Sequence, residues 1–219
     1  MIGIVVPAHN EEEEIAGCLE ALLQAANHQA LNGEPVKIIV VLDHCTDDTP
    51  AIAARYPVEI IAVAAKNVGL ARATGAIHAM KSSCRWLAFT DADTRVPRKW
   101  LAAQLLCRTD AVCGTVRLRA TPAGSIDGRL VNYHNQDGHR HVHGCNFGVS
   151  ASAYFQAGGF PSVRVHEDVQ LVQALLATGR SVAWVADPCV STSARQVGRL
   201  RDGFACSLRR QSLTRQAAA

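Results

Sequence analysis

Short apolar runs alternate with segments of helical periodicity along most of the chain. The first run, Ile2–Val6, ends at Pro7, and Glu11–Ala26 then places its apolar residues at helical spacing. Further strands are predicted at Val36–Leu42, Val58–Val63, Trp86–Thr90, Ala111–Leu118 and Val182–Val185. Further helices are predicted at Asp47–Arg55, Val68–Lys81, Arg98–Leu106, Ala151–Ala157 and Val169–Leu176. This alternation is typical of βαβ units, so we predict an α/β fold with a mostly parallel central sheet flanked by helices on both faces.

Polar clusters directly follow three of these strands. His9–Glu11 comes after the first strand, Asp43–Asp48 after the second and Asp91–Thr94 after the fourth. Asn10 is expected to cap the helix that begins with the acidic run Glu11–Glu14, where the helix dipole favours negative charge. Parallel sheets bind ligands beyond the carboxyl ends of their strands, so we expect the three clusters to share one site.

Composition and charge narrow the class of protein. The 219 residues suit one domain with a modest appendage, and 48% apolar against 19% charged residues is a globular composition. A formal net charge of +3 gives no argument for a nucleic-acid partner, and none is expected. No apolar stretch approaches the roughly 20 residues that span a bilayer, and Met1 leads directly into a strand, so no signal peptide is expected. Eight scattered cysteines without a Cys-x-x-Cys pair predict free thiols in a reducing, cytoplasmic compartment.

The segment Asp91-Ala92-Asp93 directly follows an apolar strand. If this segment is extended, its two carboxylates point to the same side. Such an oxygen-rich site suits Mg²⁺ or Mn²⁺ bound to phosphate oxygens, because these ions need few protein carboxylates. The same pattern also occurs in solvated acidic loops, so its position among the other motifs has to decide between the two interpretations.

Seven short motifs follow one another along roughly residues 1–185. They are Val5-Val6-Pro7-Ala8-His9-Asn10-Glu11-Glu12, Val41-Leu42-Asp43-His44-Cys45-Thr46-Asp47-Asp48-Thr49, Asn67-Val68-Gly69-Leu70-Ala71-Arg72-Ala73, Asp91-Ala92-Asp93, Gly144-Cys145-Asn146-Phe147, Gly158-Gly159-Phe160 and Glu167-Asp168-Val169-Gln170-Leu171. In this order they resemble the motifs of family 2 glycosyltransferases with the GT-A fold. The resemblance implies a single domain over residues 1–219. A Rossmann-like nucleotide-sugar-binding half (1–118) would precede an acceptor-binding and catalytic half (119–190) and a basic tail (191–219).

The resemblance also implies roles for residues of the first half, which would bind a UDP-, GDP- or dTDP-sugar. Asp43 and the loop after the first strand would hold the nucleobase, and Arg72 would approach the nucleotide. Asp91 would contact the ribose or sugar, and Asp93 would bind Mn²⁺ or Mg²⁺, with Asp91 as the second candidate ligand. Without the resemblance, Asp43 could equally form an Asx-turn or cap a helix. Arg72 could equally be an arginine on the surface of its helix. The residues implied to bind the donor are Pro7, Ala8, His9, Asn10, Glu11, Asp43, Asn67, Arg72, Asp91, Ala92 and Asp93.

The paired acids Glu167-Asp168 open a predicted helix, where acids are commonly favoured by the helix dipole alone. The resemblance implies that one of them is the general base, with Asp168 preferred and Glu167 as the alternative. The reaction would be a single displacement at the anomeric carbon, in which the base takes the proton of an acceptor hydroxyl and a metal neutralises the departing diphosphate. The outcome would be inversion. One sugar per event is expected, because the Gln-x-x-Arg-Trp motif of processive synthases is missing.

Alternating histidines mark the aperiodic stretch 120–146. His134 lies within this stretch, and the run His139-Arg140-His141-Val142-His143 ends just before Gly144-Cys145-Asn146. In an extended segment these histidines would share one face, where they could ligate Zn²⁺, contact the substrate or acceptor, or simply form a loop. Their position favours a role in lining the acceptor pocket, where the acceptor would be a sugar, a lipid-linked compound or a small molecule. The residues expected to line it are His139, His141, His143 and Asn146.

The last part of the chain departs from the family pattern. Many relatives have a histidine metal ligand after the last strand, whereas this chain has none there, and Arg195 is a candidate clamp on the diphosphate. The basic tail fits three roles: a solvated helix face, a lid over the nucleotide, or a patch for anionic lipid or an acidic acceptor. Peripheral association with the inner membrane face is compatible with the third role.

Other classes of protein fit the sequence less well. A nucleotidyltransferase needs a basic, Gly-rich loop after the first strand, and a dinucleotide-binding oxidoreductase needs Gly-x-Gly-x-x-Gly there, but Pro7-Ala8-His9-Asn10 has no glycine. A zinc hydrolase built on the histidine run lacks the Asp-His that should follow. A non-catalytic nucleotide-sugar-binding protein is the main alternative outside enzymes. It predicts damaged acids, yet Asp43, Asp91, Asp93 and Asp168 are all present.

Overall fold

The computed structural model describes residues 1–119, 135–163 and 165–194, which form one eight-stranded sheet covered by helices. The strands are β1 (Ile2–Ala8), β2 (Val36–Asp43), β3 (Glu59–Val63), β4 (Trp86–Phe89), β5 (Thr94–Arg95), β6 (Ala111–Arg119), β7 (Phe147–Ser150) and β8 (Val182–Ser193). The helices are α1 (Ile15–Ala26), α2 (Thr49–Ala53), α3 (Val68–Lys81), α4 (Trp100–Leu106), α5 (Ala151–Gln156) and α6 (Glu167–Ala177), with a 3-10 turn at Gln29–Leu31. None of these helices is long and apolar enough to cross a membrane.

The sheet has the strand order β3-β2-β1-β4-β7-β6-β8-β5. Strands β1 to β4 are parallel, and β6 and β8 run in the same direction, so only β7 and β5 run against the rest. The mostly parallel sheet predicted from the sequence is therefore confirmed. The carboxyl ends of β1, β2 and β4 lie at one edge, and the polar clusters that follow them are placed there together.

Hydrophobic side chains fill a core on each face of the sheet, as alternation along the buried strands requires. On β1, Ile4 and Val6 pack into the core that contains α1 and α4, whereas Val5 belongs to the opposite core, which contains α3, α5 and α6. Both cores hold large, fully buried side chains, such as Trp100 in the first and Phe89 in the second. The prediction of helices on both faces is confirmed.

Strand β1 continues past its predicted end at Val6 and includes Pro7 and Ala8. Its pairing with β4 stops at Val5, while its pairing with β2 continues to Ala8, so Pro7 has no β4 partner that would need its missing N–H. Both residues are buried in the sheet. Their side chains belong to the core, and the loop predicted over Pro7–Glu11 begins only at His9.

Helix α1 begins at Ile15, later than predicted, with Glu14 as its N-cap residue. Asn10 is not the cap, since it has φ 52° and its side-chain oxygen accepts a hydrogen bond from the N–H of Thr46 (2.8 Å). The acidic run forms a turn closed by a bond from the Glu14 N–H to the Glu11 carbonyl (3.0 Å). The loop after β1 is thus tied to the loop after β2 instead of entering the helix directly.

The pattern did not predict β5 and β7, and it ended β8 too early, at Val185. The ladder between β6 and β8 is irregular, because Cys113 pairs with Trp184 while Thr115 pairs with Cys189. The extra residues of β8 bulge opposite Gly114, and regular pairing resumes along the polar end of the strand.

Asn146 occupies this irregularity. Its side-chain nitrogen donates to the carbonyls of Thr115 and Pro188 (2.7 Å each), and its side-chain oxygen accepts from the indole N–H of Trp100 (2.9 Å). The side chain is fully buried. Asn146 was expected to line the acceptor pocket; here every polar atom of its amide is bonded within the protein, so the side chain supports the core.

We expect Asn146→Ala to lower the free energy of unfolding by about 2–4 kcal/mol, because it leaves buried carbonyls and an indole N–H without partners. Chemical denaturation of the two proteins measures this difference. Asn27→Ala is the matched control, since its amide donates to the Leu23 carbonyl at an exposed helix end (2.9 Å). Equal losses in the two variants would contradict the structural role of Asn146.

Candidate active site

A buried arginine joins the two halves of the chain at the carboxyl edge of the sheet. Arg72 projects from α3, donating through Nη2 to the Asp91 carboxylate (2.6 Å) and through Nη1 to the Glu167 carboxylate. Its guanidinium also lies over the ring of Phe160, 5.9 Å from the centroid. Burial disfavours the charged guanidinium, but the surrounding carboxylates outweigh this effect and hold the pKa of Arg72 above its usual value. Arg72 is therefore an interior ion-pair partner and not a surface arginine.

The acidic segment after β4 turns instead of running extended. The Thr94 N–H donates to the Asp91 carbonyl (3.0 Å), and this turn reverses the chain into β5. The two carboxylates consequently reach different neighbours. Asp91 pairs with Arg72, whereas Asp93 accepts a hydrogen bond from the Thr192 hydroxyl on β8 (3.2 Å). Ala92 between them is buried.

The buried thiol of Cys145 shows that acids from both halves share one neighbourhood. Burial raises the pKa of Cys145 well above its usual value, and the charges of Asp91, Asp93 and Asp168 raise it further, against an opposing effect of Arg72. The shared bonds of Arg72 show the same proximity, because they bring the segment of Asp91 and Asp93 next to the segment of Glu167 and Asp168.

Glu167 and Asp168 have different environments although they are adjacent. Glu167 is buried against Arg72, and burial raises its pKa more than the guanidinium lowers it. Asp168 is only half-buried and accepts hydrogen bonds from the N–H groups of Gly144 and Val169 (2.8 Å each). Of the two acids, Asp168 is the one whose carboxylate is partly open to solvent.

Asp43, which was expected at the nucleobase, organises the main chain of a neighbouring turn. Its buried carboxylate accepts three hydrogen bonds of 2.8 Å, from the N–H groups of Ala65, Lys66 and Asn67. Asn67 in turn caps α3, accepting from the Leu70 N–H (2.9 Å). The carboxylate therefore has a structural role at the turn over residues 65–67, which differs from the alternative of an Asx-turn or a cap for the helix after β2.

The loop after β1 contacts the loop after β2 at several points. The imidazole of His9 lies 2.5 Å from the Asp43 carbonyl oxygen and is nearly parallel to the ring of His44, with centroids 6.3 Å apart. The buried Glu11 donates through its N–H to the Thr49 hydroxyl (2.7 Å). The loops after β1 and β2, which were implied to hold the nucleobase, are therefore bonded to each other at the ends of these strands.

Three histidines stand side by side before the Gly144 turn. The rings of His139 and His141 are 5.9 Å apart and those of His141 and His143 are 6.3 Å apart, with interplanar angles of 18° and 25°. The buried His139 also lies 3.2 Å from the Val185 carbonyl and edge-on to Trp184. The predicted common face is present, and it lies next to the turn whose N–H binds Asp168.

The acids at this edge fit a divalent cation only if a ligand completes its coordination. Within the ranges that the structure describes, no group of three His, Cys, Asp or Glu side chains is able to hold a metal ion. Asp91 is committed to Arg72, so Asp93 offers the better carboxylate. Mg²⁺ and Mn²⁺ commonly use one or two carboxylates together with substrate phosphates.

Several contacts of the site had no signal in the sequence, among them the hydroxyl of Thr192 and the main-chain N–H of Gly144. A threonine in a polar stretch and a glycine in a motif gave no indication of the carboxylates they bind. Arg195, His134 and the basic tail from residue 195 onward lie outside the described residues, so the diphosphate clamp and the three roles of the tail stay predictions.

Comparison with known proteins places the chain in one family. Residues 3–127, more than half of the chain, match the family Glycosyl transferase family 2, and the chain belongs to this family. A curated relative, the succinoglycan biosynthesis protein ExoO of Rhizobium meliloti (strain 1021), is 30% identical over 138 residues, which are 58% of this chain and 35% of that protein. The chain thus spans about a third of the length of this relative.

Solved structures of glycosyltransferases share the fold at low sequence identity. Residues 1–349 of S. aureus TarS in complex with UDP-GlcNAc align with a TM-score of 0.66 and 15% identity, covering 93% of this chain and 61% of that one. The mannosyltransferase PcManGT of Pyrobaculum calidifontis in complex with GDP-Man and Mn²⁺ aligns with a TM-score of 0.66 and 19% identity, covering 90% and 58%. The expected GT-A fold is confirmed.

We expect the stability of the protein to fall as the pH drops from 7 to 5, in part because of His143. Burial, together with His141 and His139, lowers the pKa of His143 from 6.5 to about 4. In the unfolded chain His143 is protonated below about pH 6.5, whereas in the folded chain it is protonated only below about pH 4. This difference lowers the free energy of unfolding by about 2 kcal/mol between pH 7 and pH 5. Denaturation of wild type and His143→Gln at both pH values measures it, and equal pH dependence in the two proteins would contradict the assignment.

Proposed function

We propose that this protein is a nucleotide-sugar-dependent glycosyltransferase that transfers one sugar to an acceptor hydroxyl with inversion. The observation that carries the proposal is the pair of bonds from Arg72 to Asp91 and Glu167, which brings the acidic segment after β4 next to the acids that open α6. A single displacement needs groups at both ends of the reacting bond. Family membership and the complexes of TarS with UDP-GlcNAc and of PcManGT with GDP-Man and Mn²⁺ support the same reaction class.

On the donor side, the loops after β1 and β2 would bind the nucleoside and the acids after β4 would lie beside the diphosphate. A Mn²⁺ or Mg²⁺ ion bound there would supply positive charge to the departing diphosphate. Asp93 is the ligand we assign to it, because Asp91 is neutralised by Arg72. The Thr192 hydroxyl orients Asp93 by donating to its carboxylate.

On the acceptor side, we assign the general base to Asp168. Its carboxylate is half-buried and is held by two main-chain N–H groups, so it is oriented while still partly open to the cleft. It would take the proton of the acceptor hydroxyl as the oxygen attacks the anomeric carbon. Glu167 is the weaker candidate because it is buried in its ion pair with Arg72. His141 and His143 would stand beside the acceptor.

The donor class can be established by thermal-shift measurements with UDP-, GDP- and dTDP-sugars, each with and without Mn²⁺. We expect one nucleotide to stabilise the protein in a metal-dependent manner. Asp93→Ala should weaken binding of that donor in Mn²⁺ by about tenfold or more, because the metal loses its protein carboxylate. The control variant Asp110→Ala removes an acid at the opposite edge of the sheet, and its affinity for the donor in Mn²⁺ should equal that of wild type. A full metal-dependent shift in Asp93→Ala would exclude Asp93 as the ligand.

Asp168→Asn should keep the affinity for the donor and lose turnover by roughly 10²–10⁴-fold, because an amide cannot accept the proton. Single-turnover assays with the donor identified above give the rate. Asp110→Asn is the matched control, since Asp110 also accepts a main-chain bond, from the Ser181 N–H (2.9 Å), away from the cleft. Transfer at the wild-type rate in Asp168→Asn would move the base to another group.

A further inference from the structure

Two arginines outside the recognised motifs meet beside the segment that contains Asp93. Arg95 lies in β5 and Arg119 ends β6, and each donates through Nη2 to the same carboxylate oxygen of Glu14, at 2.7 Å and 2.8 Å. The Arg119 Nη2 also donates to the main-chain carbonyl of Asp93 (3.3 Å). A guanidinium anchored on the start of α1 thereby contacts the backbone of the proposed metal ligand.

The segment that follows Asp93 has little other support from the sheet. Strand β5 has two residues, which pair only with Thr192 and Ser191 on β8, at the edge of the sheet. The carboxylate of Asp93 is oriented from that side by Thr192. Its main chain is held from the other side by Arg119, so the two contacts together set where the carboxylate points.

The cluster of Glu14, Arg95 and Arg119 is poorly explained by stability alone. Two guanidiniums share one carboxylate, and Arg95 Nη1 and Arg119 Nε are buried without a hydrogen-bond partner among the described residues. Buried donors without partners cost free energy. The guanidinium of Arg95 also lies so close to α1 that a Cβ at Gly17 would come within 2.6 Å of it. Because the cluster is tightly confined and some of its donors are unpaired, it is better suited to fixing the position of neighbouring groups than to stabilising the fold.

We propose that Arg119, anchored by Glu14, is a positioning residue for Asp93 and so for the metal-dependent part of donor binding. This inference rests on the proposed function. It predicts a selective defect: the nucleotide should still bind without metal, because the loops after β1 and β2 are untouched. Binding of Mn²⁺ should weaken, because the carboxylate that receives the ion is no longer held.

The test is a titration of Mn²⁺ into protein saturated with UDP or GDP, whichever the donor screen selects, with bound Mn²⁺ read by electron paramagnetic resonance. We expect Arg119→Gln to raise the Mn²⁺ midpoint by about tenfold, as loss of a residue that orients a metal ligand commonly does. Its affinity for the nucleotide without metal should stay within about twofold of wild type, a separation that general destabilisation would not produce. Arg119→Lys, which keeps the charge, should have a Mn²⁺ midpoint between those of wild type and Arg119→Gln.

The matched control is Arg85→Gln. Arg85 forms a two-bond ion pair with Glu34 (2.7 and 2.5 Å) at the opposite edge of the sheet, so its loss removes a comparable contact away from the cleft. We expect its Mn²⁺ midpoint to equal that of wild type. If Arg119→Gln does not fold, Glu14→Gln takes its place, because it removes the charge that anchors Arg119, and it should shift the midpoint in the same direction.

Wild-type midpoints in the folded Arg119 and Glu14 variants would overturn the positioning role while leaving the donor site intact. Equal rises in the Mn²⁺ midpoint for Arg119→Gln and Arg85→Gln would overturn it as well, because the effect would then be general. A wild-type protein that binds no nucleotide in Mn²⁺ would instead refute the proposed function, and the positioning role with it.

Discussion

A guanidinium buried away from water must be neutralised where it lies, and Arg72 is neutralised by acids from distant parts of the chain. Asp91 comes from the end of β4 and Glu167 from the start of α6, so the charge of one side chain holds two otherwise separate segments together. Gly144 has to be a glycine here, because a Cβ would come within 2.6 Å of the guanidinium. The turn whose N–H binds Asp168 can approach Arg72 this closely only because position 144 has no Cβ. Loss of the arginine would leave the buried carboxylate of Glu167 uncompensated, which is among the costliest changes a protein core can undergo.

Most of the fold could be predicted from the period of the apolar residues, because long buried strands and amphipathic helices give strong signals. The failures have a common physical cause. Strands β5 and β7 have two and four residues, too few for a period to show, and β8 ends in polar residues that are nevertheless buried, Thr192 and Ser193. The acidic run Glu11–Glu14 resembled a first helical turn, but bonds to the loop after β2 delay the start of α1 to Ile15.

The sequence singled out the acids of the candidate site but not their environments. Its motifs contained two pairs of acids, but they could not show which acid of each pair is bonded to Arg72. That distinction depends on burial, which arises only when α3 and α6 pack on the sheet. Contacts over long separations were likewise invisible, such as Arg119 with Glu14, which are 105 residues apart. Asn146 was assigned to a pocket because its motif is near one, although its amide completes the bulge in β8.

The three main-chain amides bound by Asp43 have a consequence for affinity. They form a small concave nest of N–H groups, of the kind that elsewhere captures a free anion, and here a carboxylate of the chain itself fills it. The turn at residues 65–67 is consequently rigid before any ligand arrives. An incoming nucleotide would meet a wall already in its final shape, so none of its binding free energy has to be diverted into ordering that segment.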